Sequence, residues 1–178
     1  MKFIKTKIKD CFMIKNNILR DKRGSFTRIF CQKKFLKNNI KFLVRQSNIS
    51  ENLKKGTFRG FHYQGKNYTE NKIINCVSGS IFNVVIDLRK KSKSYKKIFI
   101  TTLSNKNKFS ILIPAGCANG FLSLEDDTYI QYLMSDYFEK NKGRYFGLRY
   151  NDKLFSKVKW PIKLKTISKK DLSYPNFE

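Results

Sequence analysis

The only histidine of the chain, His62, is the residue that says most about possible chemistry. It lies in an aromatic-rich stretch, with Arg59 before it and Gln64 after it. Imidazole changes its charge closer to neutral pH than any other side chain, so His62 can serve as a general base. A lone histidine can also be a structural or surface residue, and the stretch alone does not decide between these roles.

The sequence offers little for metal or redox chemistry. One histidine cannot supply the two or three imidazole ligands of a metal-dependent oxygenase or isomerase. The cysteines are widely spaced and form no CxxC pair, so neither a zinc knuckle nor a redox motif is visible. We therefore expect no metal site and, in a reducing compartment, free thiols at Cys11, Cys31, Cys76 and Cys117.

The charge is strongly positive, with 38 Lys plus Arg against 13 Asp plus Glu and a net charge of +25. A basic surface attracts nucleic acid. However, the lysines are scattered, and no helix-turn-helix, zinc-finger or RNP pattern accompanies them. Abundant lysine, asparagine and isoleucine are typical of an AT-rich genome, so compositional drift explains the charge better than nucleic-acid binding. A smaller anion such as a nucleotide diphosphate would still suit this surface.

The length of 178 residues and a hydrophobic content of 40% predict one globular domain spanning 1–178. No apolar run approaches the roughly 18 residues needed to span a bilayer. Lysines interrupt the apolar residues of segment 1–9 too often for a signal peptide. These features predict a cytoplasmic protein without a membrane partner.

The elements that must position His62 are mostly strands. Two apolar runs within 72–89 are separated by Ser78-Gly79-Ser80, which predicts a tight hairpin. One short helix is expected at 32–38. Such closely spaced strands indicate a sandwich or barrel. The further predicted strands are 40–50, 97–103, 108–113, 120–124 and 128–138.

A series of motifs, in order and spacing, resembles the dTDP-4-dehydrorhamnose 3,5-epimerases from about residue 20 to the C-terminus. The first are Asp21-Lys22-Arg23-Gly24-Ser25-Phe26, Gln46-Ser47-Asn48, Arg59-Gly60-Phe61-His62-Tyr63-Gln64, Lys72, Gly79-Ser80-Ile81-Phe82 and Asp87-Leu88-Arg89. The later ones are Ile113-Pro114-Ala115-Gly116-Cys117-Ala118-Asn119-Gly120-Phe121, Tyr132, Tyr137, Tyr150-Asn151-Asp152, Trp160-Pro161 and Ser168-Lys169-Lys170-Asp171.

The resemblance implies an all-β, cupin-type jelly roll in a homodimer whose strands and ligand contacts cross the interface. It also implies epimerisation at C3, C5 or both of a nucleotide-linked 4-keto-6-deoxy sugar, as in dTDP-L-rhamnose or related deoxysugar biosynthesis. The ketone acidifies the neighbouring C–H groups, so a base can form an enolate and an acid can return a proton to the other face without any cofactor.

By the same resemblance, each site residue has an expected role. His62 is the base, Tyr132 the acid, Lys72 the cation beside the oxyanion, and Asp171 the partner of the histidine. The expected substrate-binding residues are Arg23, Arg59 and Lys170 for the diphosphate, Phe26 (from the partner subunit) and Tyr137 for the nucleotide base, and the amides Gln46, Asn48, Gln64 and Asn119. Arg59 could also be a surface ion pair, Phe26 a core residue and Tyr132 an inward strand residue.

Three positions depart from the family pattern. Asn119 stands where many members have histidine, Asn83 where aspartate is common, and Arg28 where glutamate often occurs. The loss of a negative charge at Asn83 is expected to change the electrostatic surroundings of Lys72 and His62. These departures leave open which centre is inverted. They also leave open an alternative, a non-catalytic jelly roll that binds an anionic ligand through an eroded site.

Overall fold

The computed structural model describes residues 1–65, 70–138 and 145–177. Strands are numbered in chain order. They are β1 (Lys2–Lys5), β2 (Phe12–Lys15), β3 (Ile18–Asp21), β4 (Gly24–Thr27), β5 (Gln46–Asn52), β6 (Phe58–Gln64), β7 (Lys72–Ser78), β8 (Ser80–Asp87), β9 (Ile98–Ser104), β10 (Phe109–Ile113), β11 (Cys117–Ser123), β12 (Thr128–Met134) and β13 (Tyr145–Gly147). The α-helices are α1 (Gln32–Lys37) and α2 (Lys169–Leu172), and a 3₁₀ turn covers Lys153–Phe155.

Two antiparallel sheets face each other. The six-stranded sheet has the order β1-β2-β10-β7-β12-β5, and the five-stranded sheet the order β13-β6-β11-β8-β9. From β5 to β12 the chain crosses from one sheet to the other at nearly every connection, and only β8 and β9 are consecutive neighbours. This topology is a jelly roll, as the sequence predicts.

The main core lies between the sheets and is built by alternate residues of each strand. Ile74 and Ile111 point inward from the six-stranded sheet, and Ile81, Val85 and Phe121 from the five-stranded sheet. The intervening residues of β8, among them Val84 and Ile86, are also buried because the C-terminal segment covers the outer face of their sheet. Burial on both faces explains why β7 and β8 read as continuous apolar runs.

The predicted hairpin at Ser78-Gly79-Ser80 is wrong. β7 pairs with β10 and β12, whereas β8 pairs with β9 and β11, so the turn is a corner between sheets. Gly79 has φ +72, and a Cβ there would lie 2.3 Å from Thr128 Oγ1. Glycine is therefore required by the corner, and a turn signal alone cannot distinguish a corner from a hairpin.

The helix predicted at 32–38 is present as α1, whose Phe35 packs with Phe42 on the outer face of the six-stranded sheet. The strand predicted at 40–50 begins only at Gln46, because the preceding residues cross this outer face instead of pairing. Among the residues described, neither helix has the length and apolar character needed to cross a membrane.

Candidate active site

A cavity of about 650 Å³ opens between the two sheets. Inward-facing residues of both sheets line it, together with the C-terminal segment that carries α2. The structure brings most of the predicted site residues together on its wall, namely His62, Tyr132, Lys72, Asp171, Asn48, Arg59, Asn119 and Lys170.

His62 projects from β6 and is held by Asp171. The Nε2 atom lies 2.8 Å from Asp171 Oδ1, and the backbone N–H of Gly60 donates to Asp171 Oδ2 at 3.3 Å. Ser168 caps α2 by accepting the N–H of Asp171, which fixes this carboxylate against β6. Because a carboxylate accepts, Nε2 carries the hydrogen and Nδ1 remains as the basic nitrogen.

Asp171 is ionised in this setting. Burial by itself would raise the pKa of the Asp171 carboxyl, but the hydrogen bond and charge of His62, the Gly60 N–H and the Ser168 hydroxyl outweigh it. The pKa of Asp171 therefore lies below its ordinary value. An ionised carboxylate both orients the ring and favours the imidazolium that forms when His62 takes up a proton.

A close approach of β6 and β11 sets the position of His62. Gly60 has φ +134, and a Cβ there would lie 2.4 Å from Gly120 Cα. The pairing of these strands shifts register between Asn119 and Phe121, next to the Asn119–His62 pair. The irregular pairing of β6 and β11 thus lies at the point where the side chain of His62 enters the cavity.

Tyr132 stands on β12, in the sheet opposite that of His62. Burial raises the pKa of its phenol, and the charge of Arg59 and the hydroxyl of Ser50 act in the opposite direction. Tyr132 is therefore protonated at neutral pH and can donate a proton. The cavity accordingly has a base on one sheet and an acid on the other.

Lys72, at the start of β7, has a partner that the sequence reading missed. Its Nζ lies 2.8 Å from Oε1 of Glu70, and both side chains are almost fully buried. The hydroxyl of Tyr145, another residue on the cavity wall, donates to the other carboxylate oxygen of Glu70. The i, i+2 spacing of Glu70 and Lys72 was the available signal, but Tyr145 is distant in sequence.

Arg59 is exposed, and other residues hold its guanidinium group. Nε donates to Asn52 Oδ1 at 2.8 Å, and Nη2 donates to the carbonyl of Glu51 at 2.9 Å. Lys170 also lies on the wall. Two cations therefore flank the cavity where an anionic substrate could enter.

Two predicted residues lie just behind the wall. Gln46 donates to Asn48 Oδ1 at 2.9 Å and accepts the backbone N–H of Phe138 at 2.8 Å. Gln64 is buried and accepts the N–H of Glu70 at 2.9 Å. Both amides therefore position cavity residues instead of lining the cavity themselves.

The remaining predicted binding residues do not line the cavity of their own chain. Arg23 and Phe26 belong to the separate β3–β4 hairpin, where Arg23 pairs with Asp21 and the Phe26 ring is 65% exposed. Tyr137 is also exposed, and its ring lies 5.8 Å from the Arg45 guanidinium. Aromatic residues that the sequence reading did not select, such as Phe138 and Tyr174, line the cavity.

The departures at Asn83 and Asn119 are joined by a hydrogen bond. Asn119 Nδ2 donates to Asn83 Oδ1 at 2.7 Å and to the carbonyl of Val84 at 3.0 Å. Both residues are buried, so the wall carries a neutral amide pair at this point. Arg28 is exposed and is not part of the wall.

The described residues contain no group of three histidine, cysteine, aspartate or glutamate side chains placed to hold a metal ion. What they supply is a paired base, an acid on the facing sheet, a buried ammonium group and cations beside the cavity. This arrangement suits proton abstraction next to a carbonyl in an anionic substrate.

Known proteins are similar to this chain in sequence and in structure. The family model for dTDP-4-dehydrorhamnose 3,5-epimerase matches residues 5–178. The Shigella flexneri protein of that name is 34% identical over 180 residues, covering 99% of this chain and 96% of its own. The crystal structure of the Bacillus anthracis enzyme, with TDP and pyrophosphate bound, has a TM-score of 0.93 at 30% identity and 99% coverage of both chains. The Legionella pneumophila enzyme in complex with dTDP-4-keto-L-rhamnose has a TM-score of 0.89 at 29% identity, covering 98% of this chain and 92% of its own.

Proposed function

Since the chain belongs to the dTDP-4-dehydrorhamnose 3,5-epimerase family, we propose roles in that reaction for the predicted residues on its cavity wall. The protein is an isomerase of rhamnose or related deoxysugar biosynthesis. It epimerises a nucleotide-linked 4-keto-6-deoxy sugar at C3, C5 or both through an enolate. The relatives that bind TDP or dTDP-4-keto-L-rhamnose support a thymidine nucleotide as the carrier.

His62 is the base in this proposal. Its Nδ1 atom removes the proton from the carbon beside the ketone, and the imidazolium is stabilised by Asp171 at 2.8 Å. Tyr132 then delivers a proton to the opposite face of the same carbon. The observation that carries the proposal is the placement of these two residues on facing sheets of one cavity.

Lys72 is the group that stabilises the enolate. Negative charge develops on the ketone oxygen only during the reaction, and an ammonium group fixed in a mostly buried site favours that charge strongly. Arg59 and Lys170 bind the diphosphate, for which the guanidinium fork of Arg59 is well shaped. Asn48 and the amide oxygen of Asn119, whose N–H groups bond to Asn83 and Val84, are left for sugar hydroxyls.

Proton NMR of the dTDP-linked 4-keto-6-deoxy sugar, incubated with the protein in D2O, tests this function. We expect deuterium at C3, at C5 or at both, with inversion at the exchanged centre. A protein that binds dTDP but exchanges neither position would be a ligand-binding jelly roll without catalysis.

We also propose a homodimer in which the β3–β4 hairpin of one subunit completes the cavity of the other. The hairpin pairs with neither large sheet, and it exposes the apolar side chains of Leu19 and Phe26 by 67% and 65%. In the partner's cavity, Phe26 would stack on the nucleotide base and Arg23 would meet the diphosphate.

A cytoplasmic location is part of the same proposal. All four cysteines are free, which suits a reducing compartment. Fractionation of cells that express the protein with an antibody tag would test this, with recovery in the soluble cytoplasmic fraction expected.

A further inference from the structure

Glu70 is a buried carboxylate behind the cavity wall, in contact with the wall residues Lys72 and Tyr145, and the proposed reaction does not yet use it. The residue is only 3% exposed, and Oε1 lies 2.8 Å from Lys72 Nζ. Burying a charged pair removes both groups from water, and the attraction between them often fails to offset that cost. Stability alone is therefore a poor explanation for this pair.

Apart from its ion pair with Lys72, the side chain of Glu70 is held through its other carboxylate oxygen and through its backbone. Tyr145 donates its hydroxyl to Oε2, and the N–H of Glu70 donates to Gln64 Oε1 at 2.9 Å. Gln64 in turn donates to Asp136 Oδ2 at 3.2 Å. These contacts hold the side chain of Glu70 in one position, whereas the side chain of Lys72 has a flexible four-carbon stem.

We propose that Glu70 is the positioning residue that aims the ammonium group of Lys72 at the substrate ketone, an inference that rests on the proposed function. An ammonium group has three N–H donors. The ion pair with Glu70 at 2.8 Å fixes the position of the Lys72 nitrogen, and the N–H donors are left for the oxygen that becomes negative in the enolate. A fixed donor needs no reorganisation when this charge develops, and this is the main advantage of an oxyanion site.

The first test is Glu70→Gln, which keeps the shape of the side chain and removes its charge. We expect deuterium exchange at saturating substrate to fall about 10- to 100-fold, less than the full loss of an oxyanion donor. The dissociation constant for dTDP should stay within about twofold, because dTDP has no ketone. An exchange rate equal to that of the wild type would overturn the proposal.

Asp87→Asn is the matched control. Asp87 is likewise a buried carboxylate in an ion pair, with Arg89 at 2.8 Å, but Arg89 does not line the cavity, whereas Lys72 does. This variant should lose stability and keep the exchange rate of its folded fraction. If it lost exchange as strongly as Glu70→Gln, general loss of structure would explain both, and the positioning role would be wrong.

A double-mutant cycle shows whether Glu70 acts through Lys72. In a Lys72→Met background, Glu70→Gln should cause no further loss of exchange, because no ammonium remains to be aimed. An equal loss in both backgrounds would overturn the proposal.

Tyr145→Phe is a milder variant for the case in which Glu70→Gln does not fold. It removes one hydroxyl group and keeps the ion pair between Glu70 and Lys72. We expect it to fold and to show a smaller loss of deuterium exchange. An unchanged rate in this variant, with Glu70→Gln unfolded, would also contradict the proposal.

A measurement that does not depend on the enzymatic reaction can test this inference separately from the proposed function. In ¹⁵N NMR, the Lys72 ammonium signal, assigned through its loss in Lys72→Met, should show slow hydrogen exchange in the wild type and fast exchange in Glu70→Gln. A wild-type protein that exchanges no substrate deuterium but shows this protection would refute the proposed function alone. Fast exchange of the ammonium hydrogens in the wild type would refute the positioning role.

Discussion

In the proposed mechanism, His62 and Tyr132 divide the proton transfer between the two sheets. The ring of His62 is tied to Asp171 on the side of β6 and α2, so it can serve only the face of the sugar turned toward that wall. Tyr132 reaches the cavity from β12 on the other sheet. Inversion requires this division, because a base acting alone returns the proton to the face from which it came.

His62→Asn is expected to abolish C–H exchange and to leave dTDP binding nearly intact. Removal of a general base costs about 10²–10⁴-fold in rate, whereas Arg59 and Lys170, which hold the diphosphate, are unchanged. Deuterium incorporation and calorimetric titration with dTDP measure the two effects. Wild-type exchange in this variant would mean that another group is the base.

Tyr132→Phe is expected to separate exchange from inversion. The base still faces the substrate, so deuterium should enter the starting stereoisomer while formation of the inverted product is lost or greatly slowed. NMR in D2O distinguishes the two products. Tyr129→Phe is the matched control, since Tyr129 lies on the same strand but bonds to Glu51 and is absent from the cavity wall. Equal inversion rates for Tyr132→Phe and Tyr129→Phe would point to a different proton donor.

At the scale of elements, the connection after β8 is organised by one buried carboxylate. Asp87 accepts hydrogen bonds from Arg89 Nε at 2.8 Å and from the hydroxyls of Ser92 and Ser94 at 2.6 Å. Burial would raise the pKa of Asp87, but these donors lower it to about 2. The ionised carboxylate therefore ties β8 to the segment that leads into β9.

Asp87→Asn is expected to lower the free energy of unfolding at pH 7 by about 2 kcal/mol, the equivalent of the shift in pKa. A lowered pKa gives stability that is fully present above the unfolded value of 3.8 and is lost as the pH falls toward about 2. The difference in unfolding free energy between wild type and variant should accordingly become smaller from pH 4 downward. Urea unfolding at several pH values measures this difference. A difference that stays constant to pH 2 would contradict the electrostatic explanation.

At the scale of the whole molecule, the proposed dimer decides whether the cavity is complete. The wall within one chain has a base, an acid and an oxyanion group, but Arg23 and Phe26 lie on a hairpin outside it. We also propose that the chain is a single domain and expect one cooperative unfolding transition, because apolar clusters lie between the sheets and on their two outer faces.

Mixing two inactive variants tests the exchange of hairpins. His62→Asn lacks the base, and Arg23→Ala/Phe26→Ala lacks the hairpin contacts, so each protein alone should be slow at low substrate concentration. A heterodimer contains one intact cavity, and random mixing should restore about a quarter of the wild-type rate if the dimer has two-fold symmetry. Light scattering gives the mass. A monomer, or no recovery on mixing after subunit exchange, would refute the proposal.

The sequence by itself determined the residue types of the site and the fold class. His62 could be singled out because the chain has no other histidine, and the order of motifs around Tyr132, Lys72 and Asp171 predicted the family that the comparisons later showed. Local sequence signals also predicted the helix α1 and most strands of the two large sheets, since apolar periodicity and turn residues are local properties.

Only the tertiary structure decided which strands pair and which side chains meet. The signal at Gly79 predicted a turn, but whether the chain reverses within a sheet or crosses to the other depends on the distant strands with which β7 and β8 pair. The contact of Glu70 with Tyr145, and the bond between Asn83 and Asn119, depend likewise on strand pairing over long separations. Such contacts follow from the packing of the two sheets as a whole, because each strand is placed by neighbours that its own sequence does not contain.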